Sequence, residues 1–277
     1  MKRTSRAFLR NPIAVTALVI LLTIILFCII YPFFSPYDYR EMRFDECLQP
    51  PSLKHPLGTD NFGRDLMIRM AFGGRVTLFV AFFSGLISAV IGTAIGIVSG
   101  CAGGGVDSVI MRLMDALSSI PGLLLAIVFD YTLGMGKGNF LYGIAIAGIP
   151  PFAKLVRAAV LEISGSAYVE ASRALGASRL HIVREHVVRN VLPLAVIQAT
   201  TAVADALSTC TILGYISIGI KAPMPEWGAL FNNGKGRLRT LPHLALVPAV
   251  TIILCIVCLY LLGNAIRDSL SIGGGDA

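Results

Sequence analysis

Six stretches of this sequence contain no Asp, Glu, Lys or Arg. A helix of about 20 mostly apolar residues spans the hydrocarbon core of a bilayer. The longer stretches reach that length by themselves, and the shorter ones reach it once a flanking turn is included. The stretches are 13–37, 76–106, 116–129, 138–153, 191–204 and 240–266. They predict a chain that folds within a membrane.

The composition agrees with a membrane protein. Hydrophobic residues make up 55% of the 277 residues and charged residues 14%, whereas soluble domains carry about 25% charged residues. The run 13–30 is too long for a signal-peptide core and lacks a small-residue cleavage site after it. We predict an all-α integral membrane protein with six transmembrane helices. The predicted spans are 11–34, 74–101, 106–130, 138–162, 191–216 and 242–266.

The basic residues set the predicted orientation. A cluster directly before the first span, without a neighbouring acid, favours a cytoplasmic N-terminal segment, 1–10. The cluster consists of Lys2, Arg3, Arg6 and Arg10. Six spans then return the tail, 267–277, to the cytoplasm. The core, 74–266, would carry one cytoplasmic loop, 163–190, while the loops 35–73 and 217–241 would lie outside.

The net charge of +7 does not indicate a nucleic-acid partner, because the basic residues are dispersed among the apolar spans. Anionic lipid explains the excess. A Cys-x-x-Cys pair, Cys255 and Cys258, lies within an apolar span and has no second pair, so we predict no metal site. We also predict no catalytic residue. Gly136-Lys137 and Gly234-Lys235 lack the other residues of a P-loop, so ATP would have to bind to another subunit.

Two features of the spans concern helix packing. A stripe of small residues at every fourth position of the second span lets helices approach closely. Its members are Ser84, Ser88, Gly92, Gly96 and Gly100. Its partner helix lies either in this chain or in a second one. In the third span, Ser119-Ile120-Pro121 predicts a proline kink with serines that satisfy the freed backbone groups.

Asp205 is the acid that the pattern embeds most deeply. Gln198, Thr201 and Ser208 or Thr209 share its helical face at three- and four-residue spacing. Ionisable groups at that depth are costly and usually face a cavity, a polar partner or a transport path. Two interpretations stay open: a hydrogen-bond network between spans, or a pathway in which Asp205 meets an amino group or a cation of the substrate.

The segment EASRALGASRL, 170–180, is polar and helix-prone between apolar spans. Its pattern predicts a helix, a turn at Gly176 and an amphipathic helix. Gly176 either takes a left-handed conformation or lets another backbone approach. The apolar face of the second helix is Leu180, Val183, Val187 and Val188, and Glu185 can pair with Arg189. The segment would lie on the headgroups or dock to a soluble partner.

Several motifs carry a family resemblance. Glu170-Ala171-Ser172, three residues and then Gly176 resemble the EAA loop of ATP-binding-cassette importer permeases. LGTDNFGRDLMIRMAFGGRVTL (57–78), GGGVDSVIMRLMDALSSIPGLLLAIV (103–128) and PEWGALFNNG (225–234) are similar to the second, shorter permease of the dipeptide/oligopeptide/nickel family. The resemblance covers most of the chain from residue 57 onward.

The resemblance implies a type I importer permease fold in a bacterial inner membrane. It implies four kinds of partner: a homologous second permease, two cytoplasmic ATPases that use ATP and Mg, an extracytoplasmic binding protein and the bilayer. This chain would bind no cofactor. The residues expected to couple to the ATPases are Glu170, Ala171, Ser172, Arg173, Gly176, Ala177 and Ser178.

The sequence departs from the family pattern in places. Ser172 replaces an alanine, Val188-Arg189 stands where Leu-Pro is usual, and GYISIG (214–219) stands where Ser-Phe-Leu-Gly-Leu-Gly is frequent. Members of the family carry peptides, glutathione or nickel complexes. Peptides are the predicted substrate, and glutathione or a metal complex is the alternative. An ion-coupled secondary transporter is a more distant alternative, because it would need coupling acids beyond Asp205 and usually an inverted repeat.

Overall fold

The computed structural model describes residues 11–134 and 139–274, and these are mostly helical, without a β-strand. The basic cluster before the first span, Gly136-Lys137 and the last three residues of the predicted tail lie outside the described residues. The helices are α1 Pro12–Phe34, α2 Leu66–Ala102, α3 Gly104–Ser118, α4 Gly122–Leu133, α5 Phe140–Ser164, α6 Ala167–Ala174, α7 Arg179–Tyr215, α8 Trp227–Lys235 and α9 His243–Gly274.

The predicted membrane architecture is confirmed. Five helices are long and apolar enough to span a bilayer, namely α1, α2, α5, α7 and α9. The pair formed by α3 and α4 makes a sixth span if it is counted as one broken element. The described residues are therefore those of an all-α membrane protein with five continuous spans, or six spans if the bent pair is counted as one.

The third span is not the single helix predicted over 106–130. α3 and α4 meet at an angle of 86°. The break falls at Pro121, which cannot donate a backbone hydrogen bond and which disfavours a helical conformation in the residue before it. The hydroxyls of Ser118 and Ser119 donate to the carbonyls of Met114 and Ala116, at 2.8 and 2.7 Å. The sequence predicts a proline kink at this position, and the structure shows a bend of 86°, close to a right angle.

α2 begins earlier than the predicted boundary at residue 74. The Asp65 side chain caps it by accepting a hydrogen bond from the backbone N–H of Ile68, at 2.9 Å. Arg69 in its first turns is buried, and its Nη1 donates to the carbonyl of Tyr39 at 3.1 Å. Because other residues of the protein cover Arg69, this charge is not exposed to lipid. The helix can therefore begin before the charge-free stretch 76–106.

α7 combines the end of the predicted cytoplasmic loop, 163–190, with the predicted span 191–216. The two form one continuous helix. Residues Val183–Val188 form a π-helical stretch shortly before Pro193. A π-helical turn accommodates an extra residue within a continuous helix. The predicted pair of Glu185 with Arg189 is not among the ion pairs of the described residues, and Glu185 lies 3.8 Å from Arg184.

The stripe of small residues lies against α5 of the same chain. A Cβ added at Gly92 would come within 2.5 Å of Phe152, and one at Gly96 within 2.7 Å of the carbonyl oxygen of Ala153. Ser84 and Ser88 donate to α5 carbonyls at 2.9 and 2.7 Å. α2 therefore packs most closely on α5, with hydroxyl groups bridging the two backbones.

The segment between α1 and α2 is a compact unit stabilised by charges. His55 is fully buried, with Nδ1 at 2.9 Å from Asp65 and Nε2 at 3.2 Å from Glu46. Arg64 donates to Asp60 at 2.7 Å. Hydrogen bonding from Lys54 lowers the pKa of Glu46 below its ordinary value. This network fixes the segment at the start of α2.

Candidate functional site

The segment 166–180 is built as a short helix, a turn and a helix start. Ser166 precedes α6, which has Glu170 in its first turn and Arg173 in its last. Both charges match the helix dipole. Gly176 has φ +87° and ends the turn, and its N–H donates to the carbonyl of Arg173 at 3.0 Å. Ser178 then caps α7 by accepting from His181 N–H at 3.2 Å.

The left-handed backbone explains the glycine at position 176. A Cβ added there would meet nothing within 4 Å among the described residues. The close approach predicted as the alternative is therefore not made within the described part of the chain. What the turn requires of Gly176 is its positive φ, which costs other residues strain.

The predicted coupling residues form one accessible surface. Glu170, Ala171, Arg173, Gly176 and Ser178 are exposed, whereas Ser172 and Ala177 are partly buried. Two leucines beside them, Leu175 and Leu180, are 89% and 77% exposed. Of the predicted apolar face of the second helix, Val187 is buried and Val183 is partly buried, whereas Leu180 and Val188 are exposed. Ile182, which lies outside the predicted face, completes the buried side.

α6 is attached to α7 through His186. His186 Nε2 lies 3.3 Å from the hydroxyl of Ser172, and its ring lies 5.6 Å from that of Tyr168. Val169 is fully buried beneath them. Ser172, the departure from the EAA pattern, thus contributes a polar contact that alanine could not make. α6 and the start of α7 are positioned relative to each other by this cluster.

A separate polar pocket of about 190 Å³ lies between α2, α4, α5 and α7. Gln198 and Asp205 line it together with Thr209 and Ser88. Thr201 and Ser208 do not, because at 100° per residue they lie about 60 to 80° round the helix from Gln198, on the side away from Ala202 and Ala206, which line the pocket. The structure therefore brings two of the four predicted pathway residues together and adds Thr209, which the sequence analysis had left as an alternative.

Asp205 is accessible rather than deeply embedded. It is exposed in the described chain, and one carboxylate oxygen accepts a hydrogen bond of 2.5 Å from the hydroxyl of Tyr260 on α9. The acid that is fully buried is Asp130 on α4, at the end of the charge-free stretch 116–129. Asp205 is held by Tyr260 at the pocket, where it can meet a polar ligand.

The short helix α8 is locked onto α2 by a buried acid. Glu226 caps α8 by accepting from the N–H groups of Gly228 and Ala229, at 2.9 and 3.0 Å, and from Thr77 at 3.2 Å. Burial raises its pKa to about 7. Trp227 is also buried, and its indole N–H donates to the carbonyl of Met70 at 2.9 Å.

The fold defines the class of protein: a multi-pass helical membrane protein with an exposed helical hairpin between its fourth and fifth spans. The family model described as binding-protein-dependent transport system inner membrane component matches residues 92–271. A second, described as the N-terminal TM domain of oligopeptide transport permease C, matches residues 1–51. The chain belongs to the binding-protein-dependent transport system inner membrane component family, as the resemblance implied.

The relatives are permease proteins of bacterial transport systems. The chain is 34% identical to the glutathione transport system permease protein GsiD of Pectobacterium atrosepticum, over 96% of this chain and 88% of the relative. It is 33% identical to the dipeptide transport system permease protein DppC of Alkalihalophilus pseudofirmus, over 94% and 86%. It is 35% identical to the oligopeptide transport system permease protein OppC of Haemophilus influenzae, over 96% and 86%.

Solved structures show the same fold. A chain of the MetNI methionine ABC transporter in an inward-facing conformation superposes with a TM-score of 0.60 at 22% identity. The match covers 74% of this chain and 97% of that chain. The type I importer permease fold is therefore confirmed, and the protein is a multi-pass component of the inner membrane.

Proposed function

We propose that this chain is one of two permease subunits of an ATP-driven peptide importer. It would form half of the transport pathway with a homologous second permease. Two cytoplasmic ATPases would bind and hydrolyse ATP with Mg, and an extracytoplasmic binding protein would deliver the substrate. The chain itself would bind no cofactor and catalyse no reaction. The names of its dipeptide, oligopeptide and glutathione relatives support this assignment.

The exposed tip of the α6–α7 hairpin is the observation that carries the proposal. Leu175 and Leu180 project beyond the protein next to Glu170 and Arg173. Exposed leucines flanked by charges are what a docking surface requires, with apolar anchors and a polar rim. We assign this tip to the ATPase, on the cytoplasmic side.

Coupling would follow from differential docking of the tip. ATP binding draws the two ATPases together, and the tips of the two permeases move with them. The permeases then open toward the loaded binding protein, and hydrolysis resets them. The ATPase can drive this change only if it contacts the tip differently in the two states, because coupling is a difference of binding free energies. The cluster at His186 would transmit the movement to α7.

The pocket at Asp205 would contact the substrate during passage. Its carboxylate is the charge that lines the pocket, beside the amide of Gln198 and the hydroxyl of Thr209. A peptide carries an α-ammonium group that this carboxylate would attract. Glutathione also carries one, so the same chemistry serves the alternative that the GsiD relatives favour.

Copurification of ATPase subunits tests the proposal. The complex would be purified in mild detergent through a tag on this chain and identified by mass spectrometry. We expect ATPases with the wild-type chain and their loss with Leu175→Asp plus Leu180→Asp. Leu53→Asp is the matched control, because Leu53 is an equally exposed leucine in the loop before α2. If the wild-type chain retains no ATPase, the importer assignment fails.

A further inference from the structure

A second cavity, distinct from the Asp205 pocket, lies on another side of α7. It is an open groove of about 640 Å³ between α1, α2 and α7, with Leu259 of α9 at one side. Its lining is almost entirely aliphatic and aromatic. The hydroxyl of Thr200 in it donates to its own helix, to the carbonyl of Ile197 at 2.7 Å. Representative lining residues are Ile25, Leu78, Phe82, Leu86, Val196 and Val203.

The dimensions of the groove suit a flexible hydrocarbon chain. Along α2 it extends from Arg75 to Leu86, which is about 16 Å at 1.5 Å per residue. That length matches one leaflet, since the hydrocarbon core is about 30 Å thick.

One end of the groove carries a positive charge. Pro32 has no N–H, so the carbonyl of Cys28 on α1 lacks its usual helical donor. Arg75 supplies it: Nε donates to Cys28 at 2.8 Å and Nη2 donates to the carbonyl of Ile29 at 2.6 Å. A guanidinium has five N–H donors, so others remain for a ligand. Among the described residues, Arg75 has no carboxylate within ion-pair distance.

We infer that the groove binds one acyl chain of an anionic phospholipid, with the headgroup phosphate at Arg75. The lipid belongs to the leaflet on the side of the loop between α1 and α2, because Arg75 lies at that end of both helices. Guanidinium groups are suited to phosphate because two parallel N–H bonds match two oxygens. The bound chain fills the seam that joins α1 to the rest of the protein.

Photocrosslinking identifies the occupant. The photoreactive residue p-benzoylphenylalanine would replace Phe82, which lines the groove, or its neighbour Phe83, which does not. The assembled complex would be purified in detergent, to remove loosely bound lipid, and then illuminated. We expect a phospholipid adduct at position 82 and none at position 83. A crosslink from position 82 to a second permease, or no position-specific lipid adduct, overturns the inference.

A substitution that fills the groove tests phospholipid retention independently of the crosslinking experiment. Val196 in the groove and Val250 on α9 outside it are matched, being 48% and 51% exposed. We expect Val196→Trp to lose the phospholipid that the wild-type complex retains in native mass spectrometry, and Val250→Trp to keep it. Equal retention by both variants contradicts the inference.

The headgroup is tested by adding lipids with identical acyl chains to delipidated complex. We expect phosphatidylglycerol to bind in preference to phosphatidylcholine, and Arg75→Gln to lose the preference. If phosphatidylcholine binds the wild-type complex equally well, the preference for an anionic lipid is refuted, and if Arg75→Gln retains both lipids as the wild type does, the role of Arg75 is refuted.

Discussion

At the scale of single residues, Asp205 is defined by one strong contact and by an open pocket. Tyr260 donates to one of its oxygens, and the other oxygen has no partner among the described residues that would prevent it from accepting a ligand. A carboxylate held in this way is positioned for a cation without rearrangement. This is why the pathway interpretation is preferred to a purely structural network.

We predict that Asp205→Asn lowers uptake of a radiolabelled dipeptide about tenfold, because a hydrogen bond to a charged group contributes about 1.5–3 kcal/mol. Asp205→Glu, which keeps the charge, is expected to retain more activity. Initial uptake rates in cells with equal expression measure the effect. Wild-type uptake by Asp205→Asn would show that the carboxylate does not contact the substrate.

We predict that the buried carboxyl group of Glu226 makes the stability of the protein depend on pH. Its pKa is raised from 4.5 to about 7 in the folded protein, chiefly by burial. Between these values the unfolded chain loses the proton while the folded chain keeps it. Stability is therefore greatest below about pH 4.5, falls as the pH rises, and levels off above about pH 7, a change of about 3 kcal/mol.

Glu226→Gln is expected to reduce this loss, since glutamine stays neutral and can still accept from the N–H groups of α8. The measurement is the thermal unfolding temperature in detergent at about pH 5 and about pH 8. Glu162→Gln, at an exposed carboxyl on α5, is the control substitution. If the unfolding temperatures of Glu226→Gln at the two pH values differ as much as those of the wild type, another titratable group causes the pH dependence.

At the scale of secondary-structure elements, the α6–α7 hairpin depends on its turn. An alanine at Gly176 would need a left-handed backbone, which costs about 1–2 kcal/mol. We predict that Gly176→Ala weakens ATPase binding by about fivefold to thirtyfold, because the turn of the free variant relaxes and docking must restore the left-handed backbone. Gly105→Ala is the control, since Gly105 also has open space but no positive φ. Binding of the purified ATPase to the detergent-solubilised permease measures both.

The contact between Ser172 and His186 is predicted to transmit movement from α6 to α7. Ser172→Ala and His186→Ala should each lower substrate-stimulated ATP hydrolysis a few-fold, since a neutral hydrogen bond contributes about 0.5–1.5 kcal/mol. The double variant should be little worse than either one, because both remove the same bond. Arg189→Ala, at an exposed residue of the same segment, is the control. Fully additive losses would mean that the two residues act separately.

At the scale of the whole molecule, the hairpin tip and the loop before α2 lie at opposite ends of the helical bundle. Leu175 and Leu53 are the most exposed leucines of these two regions. We predict that a cysteine at Leu53 reacts with a membrane-impermeant maleimide in intact cells, whereas a cysteine at Leu175 reacts only after lysis. Cys47 and Cys101 would first be replaced by serine. The reverse pattern would invert the proposed orientation.

The membrane class, the positions of most spans and the location of the hairpin follow from the amino-acid sequence alone. These features depend on local properties: the length of charge-free runs, the helix propensity of 170–175 and the glycine at the turn. The motifs quoted from 57–78, 103–128 and 225–234 were sufficient to indicate the permease family. Each of these signals lies in adjacent residues, so no knowledge of tertiary contacts was needed.

How the elements meet is visible only in the folded protein. The structure showed that the small-residue stripe packs on α5, that the third span turns by 86°, and that α2 starts at Leu66 because the protein covers Arg69. It also joined Asp205 to Tyr260 and Ser172 to His186. These outcomes depend on contacts between residues far apart in the chain, and a hydrophobic pattern specifies that a face is buried but not which partner covers it.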